Sequence, residues 1–397
     1  MYLKKLELKN YRNYCQVNLD FDKNTILILG NNGNGKTNLL ESVCFLSTGR
    51  SHKTYIQDEV IKWGSDYSTI KAMIGSGIEK EEDRFIEIEL WKGSSGNNKI
   101  RVDKAPQKKK SDFISILPSV IFSPDDLNIV KAGPSSRRDF LDGILEKIDG
   151  KYYRERIQYQ KILMQRNSLI KSIGGSRGIG TGGSSTLEAW DDNIIKYGVD
   201  IIKKRCNLLA ELKDGFENYM SSFFKKASVD IFYIFSWDRK NGQESYKSSL
   251  LSEMAADDFT VEDLKEIFYR KLKESREEDI RYKTTTVGPH RDDFVILLDG
   301  KNARYFGSQG QQRIAAICLK LCELGILKKK LKTSPVLLLD DVFSELDIER
   351  KKMLVKAIGG DFQTFVTATN ISYLDKLDLD FGSKLLVKDN KITMLNL

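Results

Sequence analysis

The sequence predicts an α/β protein in which two chain segments, 1–124 and 280–397, form one head around an inserted, mainly helical lobe, 125–279. Short apolar segments with a two-residue period occur toward both ends of the chain and are typical of strands. Between residues 137 and 224, apolar residues instead recur three or four positions apart, which is the period of a helix. A discontinuous α/β head with a helical insertion accounts for this order.

The first half of the head begins with strands. Alternation at residues 3–8 and 17–21 predicts a pair of strands, and the apolar run at 25–29 predicts a buried strand that leads into a glycine-rich loop. Apolar residues after Lys36 follow a helical period. Short β segments between residues 67 and 105 predict a β subdomain beside a mixed sheet.

The inserted lobe contains two helical stretches, 137–173 and 187–224. The Gly/Ser-rich stretch at 174–186 between them predicts a flexible loop. Each helical stretch would extend about 55 Å if unbroken, so the pair predicts an antiparallel arm. Three glycines are candidate breaks in it: Gly143, Gly150 and Gly198.

The β/α pattern resumes after residue 284, and these elements complete the head. They are a hairpin over 294–298 and 303–306, a helix over 309–331, a strand over 336–339, a helix over 348–358 and a strand over 364–368.

The composition favours a folded cytoplasmic protein with no membrane partner. The chain has 397 residues, 40% of them apolar, and no stretch approaches the roughly 20 apolar residues that a membrane helix needs. The first residues lack the charged-then-apolar order of a secretory signal. The five cysteines include no C-x-x-C pair. Cys318 and Cys322, four apart in an apolar helical stretch, indicate buried thiols rather than a metal or redox pair.

The strongest motif runs Gly30-Asn31-Asn32-Gly33-Asn34-Gly35-Lys36-Thr37 and matches G-x-x-x-x-G-K-[ST] between a predicted strand and a predicted helix. Its glycines let backbone N–H groups surround phosphate oxygens. The Lys36 ammonium would reach the β- and γ-phosphates, and the Thr37 hydroxyl would hold Mg²⁺. This phosphate loop therefore predicts a nucleotide site.

An acidic pair, Asp340 and Asp341, follows the apolar strand at 336–339. Ligands of open α/β sheets bind at the carboxyl ends of such strands. Asp340 would hold the Mg²⁺ shell, and Asp341 would polarise the attacking water. With Lys36, these two are the predicted catalytic residues.

A third motif defines the subclass. The run Ser308-Gln309-Gly310-Gln311-Gln312, at the start of a predicted helix, resembles the signature motif of ABC ATPases, and Ser344-Glu345-Leu346-Asp347 resembles their D-loop. The resemblance implies an ABC-type P-loop ATPase head that binds ATP with Mg²⁺. In that family the signature contacts the γ-phosphate bound by the other subunit, so the resemblance also implies a homodimer on ATP binding.

A finer resemblance, to the RecF family of bacterial recombination mediators, covers essentially the whole chain. The segments that carry it are LKNYRNY at 8–14, GRSHK at 49–53, VIFSPDDL at 120–127, GPSSRRDFLD at 133–142 and TVGPHRDD at 286–293.

The RecF resemblance implies a head like that of SMC proteins with a short helical lobe. It implies an ATP-dependent dimer clamp on double-stranded DNA at gaps, with slow ATP hydrolysis. It further implies work with RecO and RecR to load RecA.

Two departures from the general ABC pattern favour a weak ATPase. No histidine follows the strand at 364–368, where Thr367, Thr369 or Asn370 stands instead of the switch histidine, and no glutamine occupies the expected Q-loop position at 122–125. We therefore expect ATP to act as a ligand that closes the clamp.

The charge distribution gives candidate DNA contacts. Residues 101–172 contain fifteen Lys or Arg against nine Asp or Glu, which is a possible footprint for a polyanion or a solvated surface. The candidates are Lys108, Lys109, Lys110, Arg137 and Arg138. Arg12, at the first hairpin turn, either reaches a phosphate of ATP or is a surface residue.

Two other functions stay open. The chain could be an ABC-type ATPase subunit that powers another assembly, although the lobe lacks an apolar docking groove for a membrane partner. A structural, SMC-like tether would need a far longer arm.

Overall fold

The computed structural model describes residues 1–22, 25–76, 82–93, 98–107, 112–114, 116–173, 181–224, 228–238, 260–360, 362–374, 377 and 380–395. The chain divides into two compact units. We call Met1–Asp126 with Ile317–Leu397 the head unit, and Leu127–Ala316 the inserted unit.

The first part of the head unit contains eight strands and one α-helix among the described residues. They are β1 (Tyr2–Tyr11), β2 (Tyr14–Asp20), β3 (Thr25–Leu29), α1 (Lys36–Thr48), β4 (Tyr67–Gly75), β5 (Arg84–Trp91), β6 (Lys99–Val102), β7 (Ala105–Pro106) and β8 (Ser119–Phe122).

The inserted unit follows with most of the helices. Its elements are α2 (Leu127–Lys131), α3 (Pro134–Ile148), α4 (Gly150–Ile173), α5 (Thr181–Phe223), β9 (Val229–Ile234), α6 (Val261–Glu274), α7 (Arg276–Tyr282), β10 (Asp293–Leu298), β11 (Lys301–Asn302) and α8 (Ala303–Phe306).

Helix α9 (Gln309–Leu331) begins in the inserted unit and ends in the head unit. The remaining elements belong to the head unit. They are β12 (Val336–Leu339), α10 (Ile348–Ile358), β13 (Thr364–Ala368), β14 (Phe381–Lys388) and β15 (Lys391–Leu395).

The first of two sheets in the head unit positions the predicted nucleotide site. In the described part of the chain its strand order is β15-β14-β3-β13-β12-β8, with β15 antiparallel and its other pairs parallel. Every residue of β12 is buried, as expected for a strand that is covered on both faces. Because β13 lies between β3 and β12, the loops after β3 and β12 meet at one edge.

The second sheet is antiparallel, in the order β2-β1-β4-β5-β6-β7 for the residues described. Alternation separates its faces, since Ile86 and Ile88 of β5 are buried whereas the intervening Glu87 lies on the outer face. Glu87 contacts Lys71 at 3.1 Å and Arg101 at 2.6 Å. The two sheets confirm the predicted mixed sheet and β subdomain.

The helical arm of the inserted unit is formed by α4, which packs along α5. Their 24 and 43 residues correspond to about 36 and 65 Å. The predicted first stretch breaks at Asp149, before Gly150, whereas Gly143 and Gly198 lie inside helices. Gly198 has a packing role, because a Cβ there would lie 2.6 Å from the Phe268 ring.

Three sequence expectations differ from the structure in this unit. Residues 280–316 belong to the inserted unit rather than the head, because β10 pairs with β9 along its whole length. The predicted Gly/Ser loop at 174–186 is described only in part, because residues 174–180 lie outside the described residues. Residues 181–186 form the first turns of α5 rather than a loop. Extending a helix that has already formed costs less free energy than nucleating a new one. The predicted strand at 303–306 is a short helix, because the Asn302 side chain accepts a bond from Arg304 N and starts a helix there.

Buried ion pairs hold the inserted unit together. Arg166 is fully buried, and its guanidinium donates to Asp191 at 2.8 Å and to Asp279 at 2.7 Å. Arg205 makes two parallel bonds to Asp142, of 2.8 and 2.9 Å. Such pairs are strongly destabilising when one partner is removed, because the other charge is left buried.

The cysteines are free thiols, and Cys44, Cys318 and Cys322 are buried. Burial raises the pKa of Cys322 to about 12. The prediction of buried thiols is confirmed at Cys318 and Cys322. None of the helices in the described residues has the length and apolar character required to cross a bilayer.

His290 is a half-buried histidine whose two ring nitrogens are both hydrogen-bonded. Its Nε2 lies 3.0 Å from the Thr285 carbonyl, which can only accept, so Nε2 carries the proton and Nδ1 accepts from the Tyr159 hydroxyl at 2.7 Å. Burial lowers its pKa to about 3.

We expect His290 to make the stability depend on pH between 7 and 5. Below pH 6.5 the unfolded chain binds a proton at this position that the folded chain does not, so stability is complete above pH 6.5 and is lost as pH falls. The loss should be about 2 kcal/mol at pH 5. Urea unfolding of the wild type and of His290→Gln measures it, and the variant should lose about that much of the pH dependence. Equal pH dependence in both proteins would contradict the assignment.

Candidate nucleotide-binding site

The phosphate loop, Gly30 to Thr37, connects the end of β3 to the start of α1. A Cβ on Gly30 would lie 2.4 Å from the Val387 carbonyl oxygen, and a Cβ on Gly35 would lie 2.4 Å from Asn13 Nδ2. Gly35 also has a φ of 106°, which favours glycine. Asn31, Asn32 and Gly33 at the tip of the loop are exposed.

Lys36 lies at the first position of α1 and is buried at 7% exposure. Its ammonium donates to the carbonyl oxygens of Gly30 at 2.7 Å and Asn31 at 3.1 Å. Burial lowers its pKa, against the opposing charges of Asp341 and Asp340. A buried cation that faces its own loop fits a ligand with several negative charges.

Asp340 connects the phosphate loop to strand β13. Its Oδ1 accepts a bond from Thr37 Oγ1 and another from Thr367 Oγ1, each of 2.9 Å. Burial raises its pKa, although the two threonine bonds and the charge of Lys53 lower it. This pairing of a hydroxyl with a carboxylate is the oxygen donor set that Mg²⁺ takes beside nucleotide phosphates.

Asp341, the second residue of the acidic pair, is held by Thr367. Asp341 has a left-handed backbone, with φ 53° and ψ 23°, and its N–H donates to Thr367 Oγ1 at 2.8 Å. Thr367 thus touches both aspartates, and this contact favours it over Thr369 and Asn370 for the switch position, which stays a prediction. No cluster of three or more His, Cys, Asp or Glu side chains suited to a metal is present among the described residues, so a Mg²⁺ ion would rely on Thr37, Asp340 and oxygens of the nucleotide and water.

The D-loop residues have local structural roles. The Ser344 hydroxyl donates to the Asp341 carbonyl at 2.8 Å, which ties this segment to the acidic strand end. Asp347 caps α10 through a 2.9 Å bond from Arg350 N to its Oδ1.

The signature residues lie in the inserted unit, at the start of α9. Ser308 and Gln311 cap the helix reciprocally, with bonds of 2.9 and 3.2 Å between each backbone N–H and the other side chain. Ser308 and Gln309 are exposed, and Gly310 is half-buried. Gln312 is buried and donates to the carbonyls of Ala303 and Arg304, so the expected contact of Gln312 in trans is corrected to a structural role.

Arg12 is bound by α1 rather than lying on the surface. It donates to both carboxylate oxygens of Glu41, at 2.8 and 2.6 Å, and to the Glu59 carbonyl at 2.8 Å. Glu41 is fully buried and also accepts from Ser51. Burial raises the pKa of Glu41, but the Arg12 and Ser51 bonds outweigh it and hold that pKa below its ordinary value. The expected contact of Arg12 with ATP stays a prediction.

The structure describes two of the five candidate DNA-contacting residues. Lys108, Lys109 and Lys110 lie outside the described residues. Arg137 is buried and makes two bonds to Asp293, of 2.7 and 2.9 Å, so its predicted contact with DNA is wrong. Arg138 is half-buried and donates to the Asp292 carbonyl at 2.8 Å.

The residues that support the loop from outside belong to none of the predicted site motifs. Asn13 binds Asn34, Asn38 and Asn390, and Asn34 Nδ2 donates to the Val387 carbonyl at 3.1 Å. Asn13 lies in the segment at 8–14 that carried the family resemblance, which was the available signal. Asn390 is 377 positions away along the chain, and no local pattern points to it.

Comparisons with known proteins identify the family of the chain. A family model described as RecF/RecN/SMC N terminal domain matches residues 2–391. The DNA replication and repair protein RecF of Clostridium tetani is 40% identical over 377 residues and 95% of each chain. That of Clostridium kluyveri is 37% identical over 395 residues and 100% of each chain.

Two solved structures have a similar fold. The recombination mediator protein RecF with ATP in the RecFOR pathway is 36% identical, with a TM-score of 0.85 over 100% of this chain and 98% of the other. The Smc head bound to the C-winged helix domain of ScpA shares the fold, at 16% identity and a TM-score of 0.53.

The fold and the site together define an ABC-type ATPase head of the SMC-like class. Within that class, the chain belongs to the RecF family of DNA replication and repair proteins.

We expect the Arg12–Glu41 pair to be important for the stability of the head unit. Replacement Glu41→Ala leaves the Arg12 guanidinium without its buried partner, which should lower the free energy of unfolding by about 3–5 kcal/mol. Replacement Glu217→Ala, at an exposed position of α5, is the control and should change it by less than about 0.5 kcal/mol. Urea unfolding measures both, and equal effects would contradict a stabilising role of the pair.

Proposed function

We propose that this protein is an ATP-dependent DNA-binding protein of recombinational repair and replication, in which ATP closes two copies of the chain on double-stranded DNA. The observation that carries the proposal is the site at the edge of the parallel sheet, where Lys36, Thr37 and Asp340 converge. The RecF family, with a relative whose solved structure contains ATP, supports ATP as the nucleotide.

The chemistry of each side chain at the site suggests its role. Lys36 would release the two loop carbonyls and bind the β- and γ-phosphates. Thr37 and Asp340 would hold Mg²⁺, which supplies charge neutralisation at the phosphates. Asp341 is the proposed base for the attacking water, and Thr367 fixes the acidic pair that Asp341 belongs to.

The signature supports a shared site between two copies. Ser308 and Gln309 are exposed at the beginning of a 23-residue helix, whose N-terminal N–H groups favour an anion. Two and three positions before Ser308, Phe306 is 71% and Tyr305 is 61% exposed, and aromatic residues are enriched at protein interfaces. We propose that a second copy places its ATP against Ser308 and Gly310.

Slow hydrolysis is part of the proposal. Thr367 takes the switch position, and a threonine hydroxyl cannot exchange a proton near neutral pH as a histidine can. The Asp-Asp pair also carries a base one methylene shorter than glutamate. ATP binding rather than turnover would therefore set the state of the clamp.

The DNA and protein partners rest on the family. Relatives are named DNA replication and repair proteins, and the structural relative belongs to a RecFOR pathway. We propose cytoplasmic action at gaps in DNA with RecR and RecO, which assists RecA loading. The alternative, an ATPase subunit of another assembly, is decided by the same experiment.

The experiment is a DNA-binding titration with and without ATP at several salt concentrations. We expect tight binding of double-stranded DNA only with ATP, with affinity that falls steeply with salt because phosphate contacts release counterions. Lys36→Ala should reduce ATP-dependent affinity at least tenfold, because it removes the phosphate-binding ammonium. Lys352→Ala, at an exposed position of α10, controls for the loss of one positive charge.

Two results would contradict the proposal. One is DNA affinity of Lys36→Ala equal to that of the wild type with ATP. The other is rapid turnover without DNA, at the roughly 10 per second that is typical of enzymes, which would favour the alternative ATPase.

A further inference from the structure

The turn between β1 and β2 lies against the phosphate loop, and one side chain in it makes an unusual number of contacts. We propose that Asn13 is a positioning residue that holds the phosphate loop in the orientation that binds phosphate. This inference rests on the proposed nucleotide site and adds a residue to it that no phosphate-loop motif contains.

Asn13 uses its whole amide on three separate segments of the chain. Its Nδ2 donates to the Asn34 carbonyl at 3.1 Å and to Asn390 Oδ1 at 2.5 Å, while its Oδ1 accepts from Asn38 Nδ2 at 2.8 Å. These partners belong to the loop itself, to helix α1 and to the turn between β14 and β15. The amide has two donor hydrogens, and both are accounted for.

The bond to Asn34 fixes the direction of a peptide. In a trans peptide the N–H points opposite to the C=O, and the described residues contain no cis peptide bond. Because Asn13 holds the Asn34 carbonyl, the Gly35 N–H points away from the turn. We infer that this side of the loop is the side that receives phosphate, since backbone N–H groups form the anion site of a phosphate loop.

The neighbouring residue holds the next peptide in the same way. The Tyr14 hydroxyl donates to the Gly35 carbonyl at 3.0 Å, so the Lys36 N–H also points away from the turn. Two consecutive side chains therefore orient two consecutive peptides, which is what a rigid site with several N–H donors requires.

Asn13 lies so close to Gly35 that no side chain fits at position 35. A Cβ on Gly35 would lie 2.4 Å from Asn13 Nδ2 and 2.9 Å from its Oδ1. The glycine of the motif thus provides space for the asparagine. Without the amide, the peptide between Asn34 and Gly35 loses an anchor, and nucleotide binding must fix its orientation again.

The test compares Asn13→Ala with two other variants of the same hairpin. Asn18→Ala, an exposed position of β2, is the control for loss of an asparagine. Tyr14→Phe removes only the hydroxyl that binds Gly35 and keeps the buried ring, so the proposal stays testable if Asn13→Ala does not fold. Calorimetry gives the Kd for ATP and for ADP, thermal unfolding without nucleotide gives the stability, and ³¹P spectroscopy gives the β-phosphate shift of bound ADP.

We expect Asn13→Ala to raise the Kd for both nucleotides about tenfold and to change the β-phosphate shift, with Tyr14→Phe acting in the same direction. Without nucleotide, Asn13→Ala should unfold at a lower temperature than Asn18→Ala because it loses three hydrogen bonds, whereas Tyr14→Phe, which loses one, should raise the Kd with little loss of stability. A Kd within twofold of the wild type, or a weaker Kd that only parallels lost stability, would overturn the positioning role. Failure of the wild type to bind either nucleotide would overturn the proposed function as well.

Discussion

Two threonine hydroxyl groups donate to one buried carboxylate oxygen, Asp340 Oδ1, and the nucleotide site depends on that junction. A buried carboxylate without donors would cost several kcal/mol, so Thr37 and Thr367 make it possible for Asp340 to lie inside the sheet edge. The parallel order β3-β13-β12 brings the three residues together, although they are distant in the chain. A shift of one residue in the register of β13 would turn Thr367 to the other face and remove one donor.

Buried pairing of opposite charges also stabilises the inserted unit. The excess of basic residues at 101–172 suggested a polyanion surface, yet Arg137 and Arg166 are buried against aspartates, and two of those, Asp279 and Asp293, lie far along the chain. Because a cation paired inside a unit is withdrawn from solvent, the count of basic residues overstates the charge that reaches the surface. The DNA contacts that we propose therefore have to be sought among exposed residues.

Patterns that act within a few residues were predictable, and contacts between distant residues were not. The strand, glycine-rich loop and helix from Thr25 to Thr48 follow from apolar period and motif alone, and the structure confirms them. Residues 280–316 were assigned to the head, because nothing local shows that β10 pairs with β9. For the same reason Thr367 was one of three candidates, and the Asn13–Asn390 contact was not foreseen.

We propose that a complete ATP site needs two copies of the chain, one supplying Lys36 and the other supplying Ser308. Mixing two inactive variants, Lys36→Ala and Ser308→Arg, tests it most directly, because a mixed dimer contains one intact site. We expect each variant alone to lack ATP-dependent DNA binding and the equimolar mixture to recover part of it. A mixture that binds no better than the two separate variants would show that the site does not need two copies.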